Sequence, residues 1–316
     1  MIKVHASAGN EDIAMVYIVE TGSGNLVECV ESVQPPLPRE KKWVLLVSTM
    51  FGCPVGCLMC DAGGHYHGKP TKDEIFAQID FLVGKRFRDG KIPCEQFKIQ
   101  FARMGEPSLN LQVLDVLQEL PQRYHAPGLM PSISTVAPAN TERFFNRLLE
   151  IKQENYMGGH FQFQVSLHTT DIGLRDRFIP VKKWSFAQIG EYGERFFVAG
   201  DRKITLNFAL AQGMPVDPVV LLNYFDPDKF LIKITPLNPT YRAKENDLVS
   251  YIDPLSAEQK YEIIQKVQDA GYQVILSIGE TEENLIGSNC GQYLRTHLSS
   301  GEPIEDGYTY QVKELQ

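Results

Sequence analysis

WVLLVSTMFGCPVGCLMC, residues 43–60, joins a short apolar run to three closely spaced cysteines. Trp43 to Val47 reads as a buried strand, and Cys53, Cys57 and Cys60 follow it in a CxxxCxxC loop. Three thiolates on one short loop can hold three irons of a cubane cluster and leave the fourth iron without a protein ligand. The same residues admit two other readings. One is a structural zinc site with His65 or His67 as fourth ligand. The other is a set of reduced structural thiols. Met59, just before the third cysteine, is large and apolar and suits a cover over a cluster.

Outward from this loop, strands and helices alternate. Strands are expected at Val44–Ser48, Phe97–Ala102, Ser132–Thr135, Phe161–Leu167, Ile204–Ala209, Phe230–Thr235 and Gln273–Ser277. Helices are expected between them at Lys72–Val83, Leu111–Leu120, Thr141–Glu154, Phe186–Phe197, Pro218–Asn223 and Ala257–Ala270. Thr71 and Glu74 form a T-x-x-E capping box at the start of the first helix. Strict alternation implies a parallel sheet, and six repeats are too few for an eight-fold barrel. The fold class expected is α/β, a partial (β/α)6 barrel over 41–298. Ahead of it, residues 1–40 read as a small β extension. Its strands are Ala14–Glu20 and Leu26–Val33, with the turn TGSGN between them and the connector PPLPRE after them. Residues 299–316 read as a polar tail that frays.

The chain has 316 residues, 43% of them hydrophobic, with a net charge of −8 and a pI near 5.5. That balance argues against a broad nucleic-acid footprint, which shows as a basic domain. Arg175, Arg177, Lys182 and Lys183 read either as a local funnel for phosphates or as a solvated charged face. No apolar run approaches membrane-spanning length and the N-terminus lacks a signal-peptide pattern. Six cysteines, three in one loop, do not suit a disulfide framework. A reducing cytoplasm is the compartment expected, with no membrane partner.

In open barrels chemistry gathers at the carboxyl ends of the strands. MGEP follows the second strand, STVAP the third, SLH ends the fourth, and PLNP follows the sixth. In MGEP, Gly105 permits close backbone approach and Glu106 can accept from an ammonium group. Ser134, Ser166, His168 and Asn238 can bind carboxylate, ribose or adenine, or serve as caps and turn partners.

These elements together resemble the radical-SAM signature and, within it, the RlmN/Cfr family of RNA adenine methyltransferases. The matches run in order from Glu28 to Leu294. They are the Leu26-Val27-Glu28 strand, the three cysteines, Gly105-Glu106, Ser134, Ser166-Leu167-His168, Leu174 to Pro180, Asn238-Pro239 and Asn289-Cys290-Gly291-Gln292. The resemblance implies a [4Fe-4S] cluster on Cys53, Cys57 and Cys60 and S-adenosyl-L-methionine bound by Gly105, Glu106, Ser134, Ser166, His168 and Asn238. It implies an electron donor such as flavodoxin or ferredoxin. It also implies catalytic roles for Cys290, as an S-methylated carrier that attacks an sp² ring carbon, and for Glu28, as proton acceptor. The logic is that an adenine ring carbon is not nucleophilic, so a carbon radical held on a cysteine must reach it.

Two positions depart from the family. Its second essential cysteine, which resolves the covalent adduct, lies seven residues before the first cluster cysteine; here that residue is Leu46. Cys29 and Cys94 are the spare thiols. Cys29 should point to the opposite face of its strand from Glu28, and Cys94 precedes the second strand at its non-catalytic end. Only a short stretch precedes the Glu28 strand, so the family's accessory RNA-binding domain is expected to be absent or reduced. Three functions follow as alternatives: a methyltransferase of RlmN/Cfr type, a radical-SAM enzyme acting on a small molecule, peptide or other substrate without the two-cysteine cycle, or a non-enzymatic zinc or iron–sulfur binding protein.

Overall fold

The computed structural model describes residues 2–256, 260–289, 296, 298–299, 307 and 309–314. The chain opens with an antiparallel meander, β1 (Lys3–Asn10), β2 (Ala14–Glu20) and β3 (Leu26–Val33). Next come β4 (Lys42–Val47), the hairpin strands β5 (Phe51–Cys53) and β6 (Gly64–Gly68), α1 (Lys72–Arg86) and β7 (Gln96–Phe101). Then follow α2 (Gln112–Arg123), β8 (Leu129–Thr135), α3 (Glu142–Asn155), β9 (Gln162–Ser166), α4 (Ile172–Phe178), α5 (Phe186–Phe196) and β10 (Ile204–Leu210). The last elements are α6 (Pro218–Leu222), β11 (Phe230–Pro236), α7 (Tyr241–Glu245), α8 (Glu262–Asp269), β12 (Val274–Leu276), α9 (Thr281–Ile286) and β13 (Lys313–Glu314).

One sheet runs β12-β11-β10-β9-β8-β7-β4-β3-β2-β1-β13. From β4 through β12 every pairing is parallel, as crossover helices require. β3 joins β4 antiparallel with Val30 opposite Leu46. The N-terminal strands therefore continue the barrel sheet rather than forming a separate unit. The expected fraying of the tail does not hold for Lys313 and Glu314, which pair with Ser7 and Ala6 of β1.

The parallel strands alternate sharply. Trp43, Leu45 and Val47 of β4, Phe97, Ile99 and Phe101 of β7, and Leu206 and Phe208 of β10 are buried in the main core with the helices. Trp43 stacks on Phe97, ring centroids 5.1 Å apart. The intervening residues, among them Val44, Gln100, Gln164 and Asn207, line a cavity of about 660 Å³ on the inner face. Strands buried on both faces by helix and core are normally apolar throughout; the inner face here is polar because it surrounds that cavity. The capping box at α1 is formed: Glu74 N donates to Thr71 Oγ1 (3.3 Å) and Thr71 N to Glu74 Oε2 (2.9 Å). Among the described residues no helix is long and apolar enough to cross a membrane.

Candidate active site

The cysteine loop bulges from the β5–β6 hairpin, and α4 and α7 with their caps fix its backbone. Leu58 N donates to Phe178 O at the end of α4 (3.0 Å). Thr240 Oγ1 donates to Met59 O (2.7 Å), and Asn246 Nδ2 donates to Leu58 O (3.1 Å). Asp61 accepts from the backbone N–H groups of Tyr241 (3.2 Å) and Arg242 (2.9 Å) at the start of α7. A small apolar cluster of Val55, Phe178, Ile179, Leu237 and Ala243 packs beneath, with Leu58 and Met59 against it. Three cysteines on so restrained a loop are preorganised for binding.

Cys53, Cys57 and Cys60 all line the cavity. Burial pushes the Cys53 thiol up to about 11 and the Cys57 thiol up to about 12, so ligation must displace protons. Among the described residues no three ligand side chains converge on a single-ion position. His65 and His67 are exposed on β6, and His67 Nδ1 is bonded to His65 O (2.7 Å). Neither lines the cavity, so neither is placed as a fourth zinc ligand.

Gly105 has φ +100°, and a Cβ there would lie 2.5 Å from Met50 Cβ, so only glycine lets the second strand end press against the cysteine loop. Beside it the Glu106 carboxylate is 4% exposed. It accepts from Ser108 N (3.0 Å), Ser108 Oγ (2.7 Å), Thr135 Oγ1 (2.6 Å) and Val136 N (2.9 Å). Burial pushes the carboxyl above its ordinary range despite those four bonds. No basic side chain pairs with it among the described residues, so a cationic ligand would supply the missing charge.

Ser134, Ser166, His168 and Asn238 line the same cavity as Glu106. His168 Nδ1 accepts from Ala209 N (3.0 Å), which leaves the proton on Nε2. Burial, then the charge of Arg175, pull the imidazole down to about 3, so it is neutral. Asn207 was not anticipated from the sequence. It is 9% exposed, lines the cavity, and its Oδ1 has no hydrogen-bond partner among the described residues. That orphaned acceptor suits a ligand amino or hydroxyl group.

Glu28 is fully buried and is not on the cavity wall. Arg103 Nη2 and Nε donate to its Oε2 (2.6 and 3.1 Å), while Nη2 and Nη1 of the same guanidinium reach Gly287 O and Ser288 O (both 2.9 Å). Glu28 thus holds the arginine that clamps the chain just ahead of the CGQ motif. Cys290 itself lies outside the described residues, but Ser288 and Asn289 line the cavity. Leu46 lines it too. Cys29 and Cys94 do not; both sit in the main core, with burial raising both thiols.

Of the Arg175–Lys183 cluster, Arg177 and Lys182 are exposed, as a solvated face requires, while the other two fit neither reading. Arg175 is buried and donates to Trp184 O (2.8 Å), and Lys183 donates to Asp176 (2.6 Å) and Ile179 O (2.9 Å). These two are structural. Among the described residues the cations on the cavity wall are Lys42, Lys98, Lys233 and Arg103, the last of which is already paired with Glu28. The sequence signal of the lysines is a lysine inside an otherwise apolar parallel strand, as in Phe97-Lys98-Ile99 and Ile232-Lys233-Ile234.

No protein-family model matches the chain. It is 27% identical over 207 residues to a probable dual-specificity RNA methyltransferase RlmN of Prochlorococcus marinus, covering 65% of this chain and 54% of that one. It is 25% identical over 306 residues to the dual-specificity RNA methyltransferase RlmN of Wolinella succinogenes, covering 92% and 80%. The resemblance is to RlmN, and it is a diverged one. In the Prochlorococcus and Thermus thermophilus matches the chain spans about half the length of the RlmN relative. Among solved structures, a radical SAM methyltransferase from Sphaerobacter thermophilus superposes with a TM-score of 0.68 at 19% identity, over 92% of this chain and 80% of that one. The fold is therefore the open radical-SAM barrel with added N-terminal strands, as the RlmN-like motifs implied.

Proposed function

We propose that the protein is a radical S-adenosylmethionine enzyme of RlmN-like type that transfers a methyl-derived carbon to an sp² carbon, with Cys290 as carrier. The observation that carries this reading is the shared cavity: Cys53, Cys57, Cys60, Glu106, Ser134, Ser166, His168 and Asn238 all line it, at or near the carboxyl ends of the parallel strands. Cys53, Cys57 and Cys60 would hold a [4Fe-4S] cluster. When bound, that cluster supplies an electron to S-adenosylmethionine and so a 5′-deoxyadenosyl radical. The chain's own part is binding and positioning. Glu106 takes the ammonium group of the methionine moiety. The His168 Nε2–H, Ser134, Ser166 and Asn238 offer polar contacts to carboxylate, ribose and adenine. The Arg103 clamp sets the approach of the segment that carries Cys290. Glu28 can accept a ring proton only when Arg103 releases it; in the paired state it is a positioning residue.

A second reading is favoured by Leu46, which faces the cavity where the family has its resolving cysteine. In that reading the enzyme abstracts hydrogen from a small molecule or peptide and completes no two-cysteine cycle. The test common to both is anaerobic reconstitution. About four irons and four sulfides per chain should bind, with reductive formation of 5′-deoxyadenosine, and alanine at any of the three cysteines should abolish both. Stoichiometric zinc with no iron uptake overturns the proposal. A methyl group found on Cys290 by peptide mass would favour the first reading over the second.

A further inference from the structure

We propose that Lys42, Lys98 and Lys233 form an anion site inside the barrel, and that it takes a small molecule bearing a phosphate group. The proposal deepens the reading above, because this would be the substrate of the same cavity. The three lysines come from β4, β7 and β11 and all line the cavity on its inner face. Lys42 is level with Gln96 and Val44 with Lys98, so the two lysines lie on adjacent strands two residues apart in register. Lys233 is level with Asn207, the residue with the orphaned oxygen.

The carboxylates on the same cavity wall are Glu106, Glu280 and Glu283, and Glu106 is bonded to Ser108, Thr135 and Val136 rather than to a lysine. Lys42 Nζ donates to Gln34 Oε1. Among the described residues, Lys98 and Lys233 make no hydrogen bond and no ion pair. Glu283 of α9 also lines the cavity and its charge acts on Lys233. Burial and then Glu280 push its own carboxyl upward, however. Burial, then the charges of Lys233, Lys42 and Arg202, hold the Lys98 ammonium well below its ordinary range. Like charges gathered in a partly dry cavity destabilise the fold, and a bound anion removes that penalty.

The chemistry of the donors selects the anion. Lysine binds phosphate as a point charge, and three ammonium groups suit an anion with three equivalent oxygens and nearly two charges. A lone carboxylate is matched better by a planar guanidinium. The enclosure selects its size. The cations lie inside the barrel of a chain whose net charge is −8, and a polyanion that must lie along the outside meets repulsion instead.

The test is titration of the anaerobically reconstituted protein with inorganic phosphate, with chloride at equal ionic strength as control. Saturable binding is expected, weakened at least about tenfold in Lys98→Met and Lys233→Met, the loss of one charge-assisted contact. Their melting temperatures without ligand should equal or exceed that of the wild type, because repulsion is relieved. In wild-type protein alone, phosphate should slow acylation of Lys98 and Lys233 by an amine-reactive reagent, read by peptide mass. No saturable binding, or equal acylation with and without phosphate, overturns the site. A single-stranded RNA that protects the same lysines at lower concentration overturns the small-molecule assignment. Phosphate binding with no iron uptake would leave the anion site standing and overturn the radical reading instead.

Discussion

His168 is held at φ +66°, a conformation unusual for a non-glycine residue. What holds it is the bond from Ala209 N to Nδ1 and a ring contact with Phe178, centroids 5.4 Å apart. Because the imidazole is drawn down to about 3 from an ordinary value of 6.5, the unfolded chain binds a proton where the native chain does not. The stability this contributes is present above about pH 6.5 and is lost as pH falls towards 3. Asparagine tolerates the left-handed backbone and can accept the Ala209 N–H. His168→Asn should therefore flatten the fall in urea midpoint between pH 7.5 and 5, and an unchanged slope would show the histidine to be thermodynamically silent. At Glu106 the issue is ligand binding. Glu106→Ala should weaken S-adenosylmethionine binding by about 1.5–3 kcal/mol, the range for a hydrogen bond to a charged group. Calorimetry on the reconstituted protein measures it; unchanged affinity would move the ammonium site elsewhere.

The segment after α9 depends on one guanidinium. Arg103 and Glu28 are both fully buried at their side chains, so removing one partner strands a charge. Arg103→Met should cost about 3–5 kcal/mol, and the Arg103→Met/Glu28→Met pair should recover much of it. The carbonyls of Gly287 and Ser288 stay unclamped in the double variant, so proteolysis near them should remain faster than in the wild type. Protection restored along with stability would mean that Arg103 does not clamp the segment. This clamp was not legible in the sequence, because it joins residues some 185 positions apart with no local signature. The barrel strands were legible, since each carries apolar alternation over a stretch bounded by turn residues. α4, α7 and α9 were missed. They have 7, 5 and 6 residues, less than two turns, too short for helical periodicity to emerge. Yet α4 and α7 hold the cysteine loop, so its ligands could be named from spacing while its rigidity could not. β1 escaped notice because Lys3-Val4-His5-Ala6-Ser7-Ala8 offers little bulk on either face.

On the scale of the whole molecule, the thiols among the described residues divide into two populations. Cys53, Cys57 and Cys60 face the cavity, and Cys29 and Cys94 are locked in the core. Among the described residues no further thiol lines the cavity. Release of a thioether adduct as a disulfide needs a second thiol whose Cα lies within about 7 Å of the carrier's. Leu46 occupies the cavity wall where the family places that thiol, opposite Val30 in the sheet. The protein should therefore not complete the two-cysteine methylation cycle on ribosomal RNA. If Cys290 is a carrier, a suitable substrate should accumulate as a covalent adduct detectable by intact mass. Leu46→Cys should then release it and gain turnover, because the change puts a thiol on the cavity wall at a modest packing cost. Cys290→Ala should lose carbon transfer while still cleaving S-adenosylmethionine. Multiple-turnover methylation of ribosomal RNA by the unaltered chain would refute this, since it would require a resolving group other than Cys29, Cys53, Cys57, Cys60 and Cys94.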